Sequence, residues 1–166
     1  MYVETLGCAR NQVDSEVMTG RLMGAGWTLV DQPVQAHVIV VNTCSFIEPA
    51  TNESIDTILT LAAYKHKGAC RRLIVTGCLP ERYREATAEA LSEVDLFLGT
   101  GAYDQIVKAA EAVHVAPPAW LPDPDTLAVL DLSELRPIGR VPSVYVKIAE
   151  GCNRHCTYCI IPKLRG

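Results

Sequence analysis

Three thiols crowd into eight residues near the end of the chain, Cys152-Asn153-Arg154-His155-Cys156-Thr157-Tyr158-Cys159, in the order C-x3-C-x2-C. Thiolates this close can face one side of a single loop, and soft sulfur ligands select iron–sulfur clusters, zinc or copper(I). A structural zinc site takes four ligands, usually as two separated pairs, and the only adjacent fourth group here is His155. A four-iron cube held by three cysteines leaves one iron without a protein ligand, and an open iron is a place for chemistry. On spacing alone, zinc held by the three thiols and His155 stays open as the alternative.

Three further cysteines lie far apart but in similar settings: Leu6-Gly7-Cys8, Asn42-Thr43-Cys44 and Thr76-Gly77-Cys78. Each follows a strand-like run. In an open parallel sheet such ends lie along one edge, where ligands bind, so Cys8, Cys44 and Cys78 are expected to converge there. Gly7 and Gly77 remove side chains beside two of them and let backbone approach a bulky group. Singly, each is more readily a buried structural thiol. Cys70 has no strand-end position and reads as structural.

The elements that must position these thiols are legible as an alternation. Tyr2 to Leu6 reads as a strand, and a helix from about Val13 to Gly24 puts Val13, Val17, Met18 and Leu22 on one stripe, with Asp14 and Glu16 in its first turn. Trp27 to Val30 reads as a short second strand. His37 to Val41 is the continuous apolar run of a strand buried on both faces. A helix marked by Ile55, Ile58, Leu59 and Ala62 closes at Lys65-His66-Lys67-Gly68. A strand from Arg72 to Thr76, a helix over about Pro80 to Leu91, a strand from Leu96 to Leu98 and a helix lined by Tyr103, Ile106, Val107 and Ala110 complete the pattern. The expectation is an α/β fold: an open, mostly parallel five-stranded sheet flanked by helices, flavodoxin- or Rossmann-like, over residues 1–115. A proline-rich linker over 116–140 follows. Over 141–166, Ser143 to Ile148 and the cysteine loop read as the first strand and strand-end loop of a truncated β/α barrel.

Composition narrows the function classes. With 166 residues and 49% hydrophobic content the chain can bury a core, and 15 Lys+Arg against 19 Asp+Glu give a net charge of −4, so no global positive field draws it to nucleic acid or anionic membrane. The opening residues lack the basic and apolar regions of a signal peptide, no apolar run reaches membrane-spanning length, and a cytoplasmic location is expected. In that compartment seven cysteines point to ligation over disulfides. Arg154, Lys163 and Arg165 make the last segment locally basic and are expected to be solvated charge. His155 reads as a loop residue.

Two resemblances sharpen the picture. The loop resembles the cluster motif of radical S-adenosylmethionine (SAM) enzymes, C-x3-C-x-aromatic-C with Tyr158 in the aromatic position. Gly7-Cys8-Ala9-Arg10-Asn11-Gln12-Val13-Asp14-Ser15, Val41-Asn42-Thr43-Cys44 and Val75-Thr76-Gly77-Cys78 look like the three signature stretches of the radical SAM methylthiotransferase family, and the match runs over essentially the whole chain. Arg10 stands where many members have Lys. The resemblance implies two four-iron four-sulfur clusters. One, on Cys152, Cys156 and Cys159, binds SAM near Tyr158 and cleaves it to a 5'-deoxyadenosyl radical; the other, on Cys8, Cys44 and Cys78, supplies or relays sulfur. Ser45-Phe46-Ile47-Glu48-Pro49-Ala50 and Ile160-Ile161-Pro162-Lys163-Leu164-Arg165-Gly166 are similar to the branch that modifies an aspartate β-carbon of a small-subunit ribosomal protein, number twelve, more than to the branch that modifies transfer-RNA adenosine. An electron donor such as flavodoxin or ferredoxin is the other implied partner. Removing hydrogen from an unactivated carbon needs no general base, which fits the lack of any catalytic triad or paired carboxylates. A zinc-binding module and an electron-transfer protein with two clusters are the non-enzymatic alternatives.

Overall fold

Runs of β-branched and aliphatic residues build the centre of the molecule. In the computed structural model, which describes residues 1–112, 118–124, 136–139 and 141–166, β1 (Tyr2–Thr5), β2 (Val38–Thr43), β3 (Arg72–Gly77), β4 (Leu96–Leu98) and β5 (Ala119–Trp120) form one sheet in that order, with every adjacent pair parallel. Every residue of β2 is buried, because helices cover both faces of a parallel sheet. Val38 and Val40 join Ile74, Leu96 and Leu98 under α1 (Ala9–Gly24) and α6 (Ile106–Glu111). Ile39 and Val41 join Leu73, Val75 and Phe97 under α2 (Glu48–Ala62) and the short α4 (Cys78–Tyr83) and α5 (Glu85–Ala90). Each such fully buried aliphatic side chain contributes about 1.5–3 kcal/mol through burial. The fold is the expected α/β architecture, an open parallel five-stranded sheet flanked by helices.

The expected second strand differs. Trp27 to Val30 is not a regular strand, but the Met1 ammonium donates to Thr28 O at 2.8 Å and Val30 N–H donates to Met1 O at 2.9 Å. These are the two bonds of one parallel bridge, so the segment lies outside β1, on the side away from β2. From β1 the chain therefore leaves in one direction over α1, and from β2 in the other over α2 on the opposite face. Reversing both direction and face keeps the crossover hand, as the rule for parallel units requires. The return from Val30 to β2 holds a single 3-10 turn, Pro33–Gln35.

Other boundaries also move. The first helix starts at Ala9, with Cys8 at its N-cap, so its first turn contains no acid and Asp14 lies a turn deeper than expected. The α2 helix is followed by the one-turn α3 (Tyr64–Lys67), ending at Gly68 as anticipated. The single helix expected over Pro80 to Leu91 is two, broken at Arg84, whose φ of 47° lies in the left-handed region. Most of the expected linker over 116–140 lies outside the described residues; within it, Ala119–Trp120 joins the sheet as β5. Ser143 to Ile148, expected as a strand, forms no ladder, and Val146 and Ile148 are exposed. The segment ends in the cysteine loop and α7 (Ile161–Arg165).

Candidate metal centre at the sheet edge

All three isolated cysteines follow adjacent strands at the same edge: Cys8 three residues beyond β1, Cys44 next after β2, Cys78 next after β3. That edge is where successive connections leave in opposite directions, the crevice in which open α/β sheets bind ligands. Cys8 is exposed, whereas Cys44 and Cys78 are 8% and 7% exposed. Burial pushes the Cys78 thiol above its ordinary range; the neighbouring Arg165 guanidinium opposes this, and Cys44 and Cys8 are close enough to add to it by charge repulsion. The three sulfurs thus share one electrostatic neighbourhood.

Glycines make that approach possible. A Cβ on Gly7, at φ +91°, would lie 2.5 Å from Cys44 Cβ and 2.9 Å from its Sγ. One on Gly77, at φ +94°, would lie 2.5 Å from both Asn42 Oδ1 and Thr43 O. These two positions need glycine for both conformation and room.

Buried polar side chains fix the strand ends. Asn11, on α1, donates through Nδ2 to Leu6 O and to Thr43 O, both at 2.8 Å, and so ties the residues leading to Cys8 and Cys44. Asn42 returns the bond, donating to Asn11 O at 2.8 Å and to Ser15 Oγ at 3.0 Å. Thr43 Oγ1 donates to Thr76 O at 2.6 Å and accepts from Leu79 N–H at 3.2 Å, which pins the turn carrying Cys78. Ser54 Oγ donates to Cys44 O at 2.7 Å and accepts from Cys44 N–H at 3.2 Å. A polar concavity of about 450 Å³, lined by Cys8, Gln12, Ser15, Glu16 and Tyr145 among others, opens beside the exposed thiol.

The second trio occupies a surface loop. Cys152 and Cys156 are exposed, Cys159 is half-buried and Tyr158 is 89% exposed. Cys159 N–H donates to Cys156 O at 3.1 Å, and Cys152 N–H to Gly166 O at 2.8 Å. His155 is exposed. Cys70 is buried, with its thiol donating to Arg72 O at 3.4 Å, the structural role expected of it.

Among the described residues, no three His, Cys, Asp or Glu side chains are gathered tightly enough to hold a metal ion. A single zinc needs thiolate sulfurs about 2.3 Å from one point. A four-iron cube instead places each ligating sulfur at a separate corner, and its donor set is cysteine thiolate. Thiols spread along one rim, with glycine beside two of them, fit the larger group.

Arg165, expected to be solvated, is 3% exposed. Its guanidinium donates to Asp14 Oδ2 at 2.6 Å, Glu150 Oε1 at 2.7 Å and Asn11 Oδ1 at 2.6 Å. Lys147 pairs with Asp14 and, at 2.6 Å, with Glu150 Oε2, while its ammonium sits 5.4 Å from the Tyr103 ring centroid. Tyr103 Oη donates to Glu150 Oε2 at 3.1 Å. Burial disfavours charge on both Arg165 and Glu150. Their partners outweigh it, holding the guanidinium firmly protonated and the carboxyl below its usual range. The signal available beforehand was the Asn11 and Asp14 spacing of i, i+3, which puts both on one helical face.

Comparison with known proteins adds a family. Residues 1–99 match the model described as Uncharacterized protein family UPF0004. The chain is 53% identical over its whole length to a protein of Desulfosudis oleivorans named ribosomal protein uS12 methylthiotransferase RimO. It is 52% identical to a protein of the same name from Anaeromyxobacter sp. strain K, and 48% identical over 98% of its length to one from Geobacter sulfurreducens. The chain spans only 38%, 35% and 36% of those relatives' own lengths.

Proposed function

We propose, on the premise that this chain belongs to the UPF0004 family and has the leading domain of a RimO-type methylthiotransferase, that it forms the first part of a radical SAM enzyme acting on ribosomal protein uS12. The product in this reading carries a methylthio group on the β-carbon of an aspartate. The observation that carries the substrate assignment is the identity of 53% over the whole chain to a protein named for uS12. The sheet-edge geometry supports the cofactor assignment. Cys8, Cys44 and Cys78 would hold one four-iron four-sulfur cluster, Cys152, Cys156 and Cys159 the other, and Tyr158 would border the SAM site. When bound, these groups supply one-electron reductive cleavage and sulfur transfer.

The chain's own residues do the positioning. Asn11, Asn42 and Thr43 hold three strand ends in register, and the Lys147, Glu150 and Arg165 pairs hold the cysteine loop's segment against α1. The division is a cluster domain over 1–115, a linker over 116–140 that returns Ala119–Trp120 to the sheet as its last strand, and the start of the barrel over 141–166. An electron donor such as flavodoxin or ferredoxin and a cytoplasmic location belong to the same proposal. No helix among the described residues is long and apolar enough to cross a membrane.

Mass spectrometry of uS12 and of transfer RNA from cells lacking the gene tests the substrate. The expected result is loss of the methylthio mass on uS12 with transfer-RNA adenosine modification intact. The reverse pattern would assign the enzyme to the transfer-RNA branch.

A further inference from the structure

We propose that Arg165, which lies beyond the cysteine loop, is a positioning residue of the other thiol site, the one at the sheet edge. This rests on the reading that Cys8, Cys44 and Cys78 hold a cluster. Arg165 is separated from Asn11 by 154 residues yet donates to its side-chain oxygen at 2.6 Å. Asn11 in turn donates to Leu6 O and Thr43 O, the carbonyls just ahead of Gly7-Cys8 and Cys44. The guanidinium is also near enough to Cys78 for its charge to oppose the rise that burial imposes on that thiol. One buried cation therefore braces, through Asn11, the two strand ends that lead to Cys8 and Cys44, and acts by charge on Cys78 beyond the third.

Asp14 and Glu150 orient that cation. They accept from the same Nη1 at 2.6 and 2.7 Å, which leaves Nη2 committed to Asn11. A planar fork with fixed donors can satisfy these partners together, whereas a lysine ammonium at the end of a flexible stem cannot reproduce the arrangement. Hydrogen bonds and net charge around the sulfurs are among the terms that set a cluster's reduction potential. A cation beside a ligating sulfur favours the more negative, reduced state. The edge site is thus built from both ends of the chain, and the segment bearing the second thiol trio contributes part of it.

The test uses the full-length protein with Cys152, Cys156 and Cys159 changed to Ala, reconstituted anaerobically with iron and sulfide so that only the edge site loads. Redox titration with electron paramagnetic resonance (EPR) then reads the cluster. Arg165→Gln is expected to shift the midpoint potential to a more negative value and to alter the EPR spectrum, and Arg165→Lys to recover part of the potential without recovering the spectrum. Lys147→Met removes both ion pairs of the neighbouring cation, with Asp14 and Glu150, but no hydrogen bond to Asn11, and is expected to shift the potential by less than Arg165→Gln and to keep the parent's spectrum. Equal shifts in Arg165→Gln and Lys147→Met would reduce Arg165 to a structural clamp and overturn the proposal. So would a parent-like potential and spectrum in Arg165→Gln. Should Arg165→Gln fail to fold, as judged by its melting temperature without metal, the Arg165→Lys spectrum decides: identity with the parent overturns the proposal. A parent protein that binds no iron and sulfide would refute the cluster reading itself, and this inference with it.

Discussion

Cys78 is nearly buried, and its thiol is held above its ordinary range chiefly by burial, against the opposing charge of Arg165. The glycine before it is equally constrained. Gly77 has φ +94° and ψ −150°, a region essentially reserved for glycine, where any side chain adds about 1–3 kcal/mol of backbone strain. Gly77→Ala also drives a methyl group into Asn42 Oδ1 and Thr43 O. The expected outcome is a clear fall in the urea midpoint at unchanged m-value, together with weaker iron uptake by the full-length protein. An unchanged midpoint would mean that the turn relaxes without cost. Gly7 and Gly77 were legible as close-approach positions because each immediately precedes a cysteine; which atoms approach them was not, since Cys44 beside Gly7 and Asn42 and Thr43 beside Gly77 arrive from β2 and its end.

Element boundaries moved where tertiary contacts outweighed local preference. Nothing in Glu81-Arg82-Tyr83-Arg84-Glu85-Ala86 signals a helix break, since no glycine or proline interrupts it. Arg84 breaks it by adopting φ 47° while its guanidinium binds Glu81 Oε1 at 2.6 Å and the carbonyl of Leu121. Glu81 in turn accepts from Thr100 N–H at 3.0 Å and so joins α4 to the end of β4. Burial raises the Glu81 carboxyl above its usual range, against the opposing effects of Thr100 and Arg84. A carboxyl raised on folding contributes stability that is fully present below the unfolded value of about 4.3 and is lost as pH rises through the folded value. Glu81→Gln cannot ionise, so its stability relative to the native protein is expected to increase across that window, measured by urea unfolding at stepped pH. A difference that does not vary with pH would contradict the assignment.

Across the whole molecule, the residues after 141 attach to the sheet domain through buried ion pairs. Asp14 is 3% exposed and pairs with both Lys147 and Arg165. Asp14→Ala leaves two buried cations short of a partner, a loss of about 3–5 kcal/mol for breaking such a pair. The expected signature is faster hydrogen exchange over 141–166 in the full-length protein, with β2 and β3 still protected. Uniform protection would show that apolar packing alone secures the segment. The alternation of strands and helices, the buried character of β2, the strand-end placement of Cys8, Cys44 and Cys78 and the tight cysteine loop were all set by local pattern, because periodicity, apolar runs and spacing are properties of neighbouring residues. The position of Trp27 to Val30 outside β1, the break at Arg84 and the burial of Arg165 against Asn11 and Asp14 were decided only in the tertiary structure. Each depends on partners dozens to more than a hundred residues away, and a charged side chain looks the same in the sequence whether it ends in water or in a buried ion pair.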